Sequence, residues 1–265
     1  MPGPQDEQPA FHSCILDEDV IGYSNDRQPL HEDVVKIVAI LEDAGIPCCF
    51  IQEYALIYYG SGRKQNDRVL CVPDDQYKKA IDLFNARSTI LKPFRPSPMG
   101  GVGNLLRTFP RFKVVGQSDF WVIVTASFAN IPCEPANIVK SIGGLPYPKL
   151  SVYTQSLLDT QNGTDLEELI DGMDLSQEWG EENLDLDGSI DVEWAQRRKD
   201  AVQSLGGNPI FLGLSTAPKQ RRAVWQASVL RKGARMGLKK PAAVYATRWR
   251  RHGSQDPTSI QRNLI

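Results

Sequence analysis

The pattern of apolar and polar positions divides the chain into an irregular start, an alternating middle and a helical second half. Residues 1–30 show no period and predict a flexible N-terminal arm. From 34 to 44, apolar residues recur every three or four positions, which predicts a helix ending at Gly45, two residues before Pro47. Short apolar runs at 48–51 and 67–72 predict two buried strands.

After Pro73 the pattern becomes helical, and we expect Asp74 and Asp75 to cap that helix rather than to bind a cation. A Pro/Gly-rich loop at 93–108 precedes two alternating segments that predict a β-hairpin. The rest of the chain is predicted from its spacing as a helix at 150–159, a capping box at Thr164–Glu167, an acidic loop at 179–187, a helix at 192–205 and a last helix after Pro218.

These elements predict an α+β fold with a mixed sheet, flanking helices and a helical, basic C-terminal region. We expect an arm at 1–30, an α/β core at 31–145, a helical acidic region at 146–205 and a basic extension at 206–265.

Composition narrows the class of protein. No apolar run approaches the roughly 20 residues that span a bilayer, and the polar N-terminus does not resemble a signal peptide, so we expect a cytoplasmic protein without a membrane partner. The five cysteines are an odd number without CxxC spacing, which predicts reduced thiols and no disulfide partner. The three histidines lie far apart, and we predict no metal ligands and no firm cofactor.

Charge is distributed unevenly. Residues 1–200 contain 18 Lys or Arg against 31 Asp or Glu, a balance of −13, whereas residues 201–265 contain 12 against one, a balance of +11. The basic region could bind a polyanion such as tRNA, or it could dock on the acidic segment at 159–200; the sequence leaves both open. The candidate nucleic-acid-binding residues are Arg221, Arg222, Arg231, Lys232, Arg235, Lys239, Lys240 and Arg248.

The segment from 45 to 73 contains a strand, a short apolar helix ending at Gly60-Ser61, then Arg63, then Asp67 at the start of a strand. This order resembles the nucleotidyltransferase family, and the resemblance extends over about residues 31–175. It implies that Gly60, Ser61 and Arg63 bind the nucleotide, and that Ser61 and Asp67 belong to the catalytic site.

One departure from that family's pattern concerns metal binding. The second acid is expected two residues after Asp67, where this chain has Val69, and no third acid occurs from Trp121 to Thr125. One carboxylate does not hold the two metal ions used for in-line phosphoryl transfer, so Mg²⁺ is disfavoured. An alternative role for Asp67 is a strand-edge acid paired with Arg63.

Three functional hypotheses follow. The first is a transferase-like protein with a degenerate metal site that binds a nucleotide or tRNA-type ligand in a biosynthetic role, as in fungal proteins that the overall pattern resembles. The second is an aminoacyl-tRNA-dependent synthase of arginine-containing cyclodipeptides, a form of secondary metabolism that needs positioning and a proton acceptor rather than a metal pair. The third is a non-catalytic binding or regulatory protein.

Overall fold

A computed structural model describes residues 31–64, 67–95, 105–237 and 239–259. The predicted arm at 1–30 and part of the predicted loop at 93–108 lie outside these ranges. The helices are α1 His31–Glu42, α2 Glu53–Tyr58, α3 Tyr77–Asn85, α4 Ala126–Ala129, α5 Leu150–Asp159, α6 Gly163–Met173, α7 Gln177–Asn183, α8 Val192–Ser204, α9 Arg221–Leu230 and α10 Lys232–Arg235. The strands are β1 Cys49–Phe50, β2 Arg68–Val72, β3 Leu91–Phe94, β4 Arg111–Val114, β5 Phe120–Thr125, β6 Ile138–Lys140 and β7 Pro146–Pro148.

Five strands form a mixed sheet in the order β1-β2-β5-β4-β3. β2 runs parallel to β5, with Arg68 opposite Trp121, and the other neighbouring strands are antiparallel. All five residues of β2 are buried, as expected of a central strand covered on both faces. The predicted α+β class with a mixed sheet and flanking helices is confirmed.

Several local predictions were wrong. Asp74 does not cap its own helix: its carboxylate accepts hydrogen bonds from the amide and hydroxyl of Ser127 at the start of α4. Helix α6 is capped by Asn162, whose side chain accepts from the Asp165 amide, rather than by the capping box at Thr164. The predicted acidic loop at 179–187 begins within helix α7, where Ser176 supplies the cap.

The helical second half packs onto the sheet through one continuous set of buried apolar side chains that extends from α1 to α9. Trp225 of α9 is fully buried, and a side chain at Gly180 of α7 would collide with its indole ring. The boundaries predicted for the core, the acidic region and the basic extension stay a prediction.

Cys48, Cys49, Cys71 and Cys133 are free and buried. Cys14 lies outside the described residues. In the part of the chain that the structure describes, no helix combines the length and apolar character needed to cross a membrane.

Candidate functional site

The Gly60–Gly62 turn, proposed from the sequence as a nucleotide-binding turn, packs against the chain itself. Gly60 has φ +96, and a Cβ there would lie 2.6 Å from the carbonyl oxygen of Gly172 in α6. A Cβ at Gly62 would lie 2.9 Å from the indole ring of Trp249. The close approach that these glycines permit is therefore to α6 and the C-terminal segment, and binding of a nucleotide by Gly60, Ser61 and Arg63 stays a prediction.

Arg63 lies at the centre of a carboxylate cluster. Its guanidinium binds both oxygens of Glu168 in α6, with Nε–Oε2 at 2.8 Å and Nη2–Oε1 at 3.0 Å. Nη2 also lies 2.5 Å from Asp165 Oδ1, and Nη1 lies 3.9 Å from Glu53 Oε1. The Ser61 hydroxyl donates to Glu168 at 2.8 Å. The structure thus brings Ser61 and Arg63 together through one carboxylate of α6, and these contacts fix the turn to α6.

Burial shifts the pKa values of Asp165 and Arg63 in opposite directions. It raises the pKa of Asp165, against the lowering effect of Arg63 and of the Asn162 amide. Burial works to lower the pKa of Arg63, but the hydrogen bond and charge of Glu168 together with Asp165 raise it overall. Arg63 is therefore a permanent cation whose charge is neutralised within the cluster.

Asp67 occupies a different cluster, at the start of β2. Its carboxylate lies 3.0 Å from Nη2 of Arg111 in β4, so the expected pairing with Arg63 was wrong. The neighbouring carboxylate of Asp119, just before β5, accepts from Arg68 Nη1 at 2.7 Å and from the Ser118 hydroxyl at 2.8 Å. Burial raises the pKa of Asp67, with a further contribution from the charge of Asp119 and opposition from Arg111.

Arg68, whose exposed fraction is 0%, lies between two aromatic rings in the interior. Its guanidinium carbon is 5.3 Å from the ring centroid of Tyr54 and 5.5 Å from that of Trp121, distances at which cation–π attraction operates. Its Nε and Nη2 have no hydrogen-bond partner among the described residues. Arg68 therefore holds Asp119 by one nitrogen and buries the remaining positive charge against aromatic faces.

These contacts decide whether the residues present fit the metal ions that a nucleotidyltransferase resemblance implies. Two carboxylates, Asp67 and Asp119, are each paired with an arginine, and Val69 offers no ligand atom. The two acids and the two arginines sum to no net charge, so two divalent cations would bring uncompensated positive charge to this end of the sheet. The residues do not fit a two-metal site.

The basic C-terminal residues contact the acidic segment. Arg221 binds Asp159 and Asp185, each at 2.6 Å, and Arg222 pairs with Glu181 and Asp187. Lys232 lies 3.0 Å from Asp174. Arg235 binds both oxygens of Asp171, at 3.0 and 2.6 Å, and lies 3.5 Å from Glu167. Four of the eight proposed nucleic-acid-binding residues thus dock on the chain's own acidic segment, the second of the two interpretations.

The other four residues are arranged differently. Arg231, Lys239 and Arg248 are exposed, and Lys240 is half-buried. Lys240 Nζ is 4.6 Å from the Trp249 ring centroid, and the Arg248 guanidinium is 4.8 Å from it. Lys240 and Arg248 thus lie against an aromatic ring, and contact of all four residues with RNA stays a prediction.

A cleft of about 270 Å³ lies between the β1–α2 turn, α4, α5 and α8. Its lining includes the polar residues Gln52, Gln161, Asn162 and Asp165 and the aromatic residues Phe128 and Trp194. Asp165 lines the cleft and also binds Arg63, so the cleft and the carboxylate cluster share this residue. Gln52 has φ 57 and ψ −132, a backbone conformation that is strained for a residue with a side chain.

Arg198 of α8 is the cation of this cleft. Its guanidinium carbon lies 3.3 Å from the ring centroid of Phe128 and 4.5 Å from that of Trp194, and Nη2 donates to the Phe128 carbonyl at 2.9 Å. Burial lowers the pKa of Arg198 to about 9. Arg198 forms no ion pair with a described carboxylate, and its contacts are neutral groups, two aromatic rings and one carbonyl oxygen. The cleft therefore offers an anion a cation that is not ion-paired, while the other charged residue of its lining, Asp165, is paired with Arg63.

Comparisons with known proteins add a weak similarity in fold. No protein-family model matches the chain, and no curated protein matches its sequence. A crystal structure of ANT(2″)-Ia in complex with adenylyl-2″-tobramycin aligns at 10% identity and a TM-score of 0.37, covering 63% of this chain and 97% of that one. A solution structure of the antibiotic-resistance factor ANT(2″)-Ia aligns at 10% identity and a TM-score of 0.37, covering 65% and 94%. Similarity at this level carries no argument about the activity of this chain.

Sequence reasoning missed three members of the site. Asp119 lies two residues before the Trp121–Thr125 window in which a further acid was sought. Nothing in the sequence spacing distinguishes Glu168 and Arg198 from neighbouring charges, because only the packing of α6 on the turn and of α8 on α4 brings them to the site.

Proposed function

We propose that this chain binds a nucleotide, or a similarly phosphorylated small anion, in the cleft at Arg198, and that it does so without two-metal nucleotidyl transfer. The observation that carries the proposal is the contrast in charge between the two ends of the site. Arg198 has no carboxylate partner among the described residues, whereas the acids at the start of β2 and β5 are each paired with an arginine.

The cleft suits part of such a ligand. Ligand pockets commonly measure about 300–1,000 Å³, so a volume of about 270 Å³ accommodates one part of a nucleoside triphosphate, a base or a phosphorylated sugar, and the rest of the ligand would extend out of the cleft. The guanidinium supplies donors for phosphate oxygens. Phe128 and Trp194 supply ring faces, and the amides of Gln161 and Asn162 supply both donors and acceptors.

This proposal makes the non-catalytic hypothesis more specific and retains the nucleotide of the first hypothesis. The tRNA-dependent and cyclodipeptide hypotheses have no supporting contact in the described residues, and they stay predictions.

The test combines calorimetry with a turnover assay. Each nucleoside triphosphate is titrated into the full-length chain, once with Mg²⁺ and once with a chelator, and pyrophosphate release is followed in parallel with Mg²⁺ or Mn²⁺. We expect affinities that agree with and without the metal, and no pyrophosphate. Metal-dependent release that Asp67→Asn abolishes would overturn the proposal, and so would the absence of binding for every nucleotide.

A further inference from the structure

Three cysteine thiols from distant parts of the chain converge beside β1 and β2. Cys49 and Cys71 are directly opposite each other in the antiparallel β1–β2 pair, and Cys133 follows α4. Their three Sγ atoms all lie within 4.8 Å of one another. We call this group the thiol triad.

The strand pairing explains how the triad is held. Residues directly opposite in an antiparallel pair project to the same face of the sheet, so the thiols of Cys49 and Cys71 are neighbours. The third thiol is fixed from the other side, because Cys133 Sγ donates to the Cys71 carbonyl oxygen at 3.4 Å and lies 3.7 Å from that of Pro47. The arrangement is set by backbone, and not by flexible side chains alone.

The spacing suits an ion bound to three sulfurs. Metal–thiolate bonds are about 2.3 Å long, so three sulfurs around one ion in a plane are about 4.0 Å apart. The observed upper limit of 4.8 Å requires each sulfur to move by only a fraction of an ångström. No carboxylate or imidazole joins the group among the described residues, and the most exposed member, Cys133, is only 4% exposed.

We propose that the thiol triad is a binding site for a soft metal ion, for which monovalent copper is the best match. Thiolate ligands select soft ions such as Cu(I), whereas a structural zinc site is almost always four-coordinate. The described residues provide three sulfurs and no fourth ligand. Each sulfur that coordinates as a thiolate releases its proton to solvent, so binding of one copper ion should release two or three protons.

Binding would have a structural consequence. An ion shared by β1, β2 and the segment at Cys133 connects three elements that are separate in sequence. Because the unfolded chain does not hold the three sulfurs together, the ion should stabilise the fold by mass action. This inference does not depend on the proposed nucleotide site, which lies at other residues.

The experiment uses the full-length chain with Cys14→Ser, which removes the remaining thiol outside the described residues. The reduced protein is titrated anaerobically with Cu(I) in competition with a Cu(I)-specific chelator, and proton release, the ultraviolet thiolate-to-copper charge-transfer band and thermal unfolding are measured. Cys133→Ser and Cys49→Ser are compared with Cys48→Ser, a matched control because Cys48 is buried and adjacent but outside the triad. Zn²⁺ is titrated as a second probe.

We expect one equivalent of Cu(I) to be retained, with proton release, a charge-transfer band and a higher unfolding temperature. The Cys48→Ser control should behave like the parent, whereas Cys133→Ser and Cys49→Ser should lose retention at the same chelator concentration. Circular dichroism of each variant checks that it is folded, and the parent's proton release tests the proposal even if a variant unfolds. Equal retention by the triad variants and the control would overturn the proposal, as would fewer than two protons per copper or tighter binding of Zn²⁺.

Discussion

Arg198 and Arg235 both belong to the helical C-terminal half, but the structure surrounds them differently. Arg235 binds both oxygens of Asp171, and the two side chains are 12% and 1% exposed. Arg198 has aromatic rings and one carbonyl oxygen as neighbours and lies in the wall of a cleft.

This difference separates a structural role from a binding role. The buried carboxylate of Asp171 neutralises the charge of Arg235, so Arg235 does not attract an external anion. The ion pair connects α10 to α6 instead. A guanidinium without a carboxylate keeps its donors available. The two acids at the starts of β2 and β5 are neutralised in the same way. Asp67 pairs with Arg111, and Asp119 pairs with Arg68.

The largest expected effect is on stability, from Arg235→Met. Removing this cation leaves the carboxylate of Asp171 buried and without its partner, which typically costs about 3–5 kcal/mol. Urea unfolding of the variant should show this loss, while ligand affinity per folded molecule stays unchanged. Arg222→Met is the matched control, since its partners Glu181 and Asp187 are exposed and its loss should leave stability unchanged. Equal stability of the two variants would contradict a structural role for Arg235.

A smaller effect is expected on the pH dependence of stability. It concerns Asp165, which binds Arg63 and also lines the cleft that contains Arg198. Burial raises its pKa above the usual 3.8, so the folded chain takes up this proton more readily than the unfolded chain. The contribution of Asp165 to the free energy of unfolding should therefore rise as pH falls from neutrality through the raised pKa. It should be fully present below 3.8 and lost as pH rises again.

Parallel urea titrations of the parent and Asp165→Asn between neutral pH and about pH 4 isolate this contribution, because the variant lacks the titrating group. The stability of the parent relative to the variant should increase on acidification. A relative stability that stays constant or decreases would show that Arg63 outweighs burial at this carboxylate.

The sequence predicted most of the sheet because the apolar run of β2 and the alternation of β4 match their burial, whereas β5, expected to alternate, is buried continuously from Trp121 to Val124. It failed where a contact joins distant segments. Nothing local to Asp74 shows that it would accept hydrogen bonds from Ser127 of α4, and nothing local to Gly60 shows that α6 would occupy the space beside it. The charge asymmetry correctly suggested that the basic region could dock on the acidic segment, but single residues could not be assigned without the packing of α9 on α6.

The role of Arg198 in the cleft also depends on a contact between distant segments. Arg197, Arg198 and Lys199 are consecutive cations, and only the position of α8 against Phe128 sets Arg198 apart from its neighbours. The ion pair between Asp67 and Arg111 could not be predicted either, because the two residues are 44 positions apart in the sequence.

The measurement that tests the central claim most directly is the affinity of Arg198→Met for a nucleoside triphosphate, measured by calorimetry in the presence of a chelator. A hydrogen bond to a charged group is worth about 1.5–3 kcal/mol, so we predict binding at least about 10-fold weaker than in the parent. Arg197→Met is the control, because Arg197 is exposed on the same helix and does not line the cleft. Equal affinity of the parent, Arg198→Met and Arg197→Met would contradict the account.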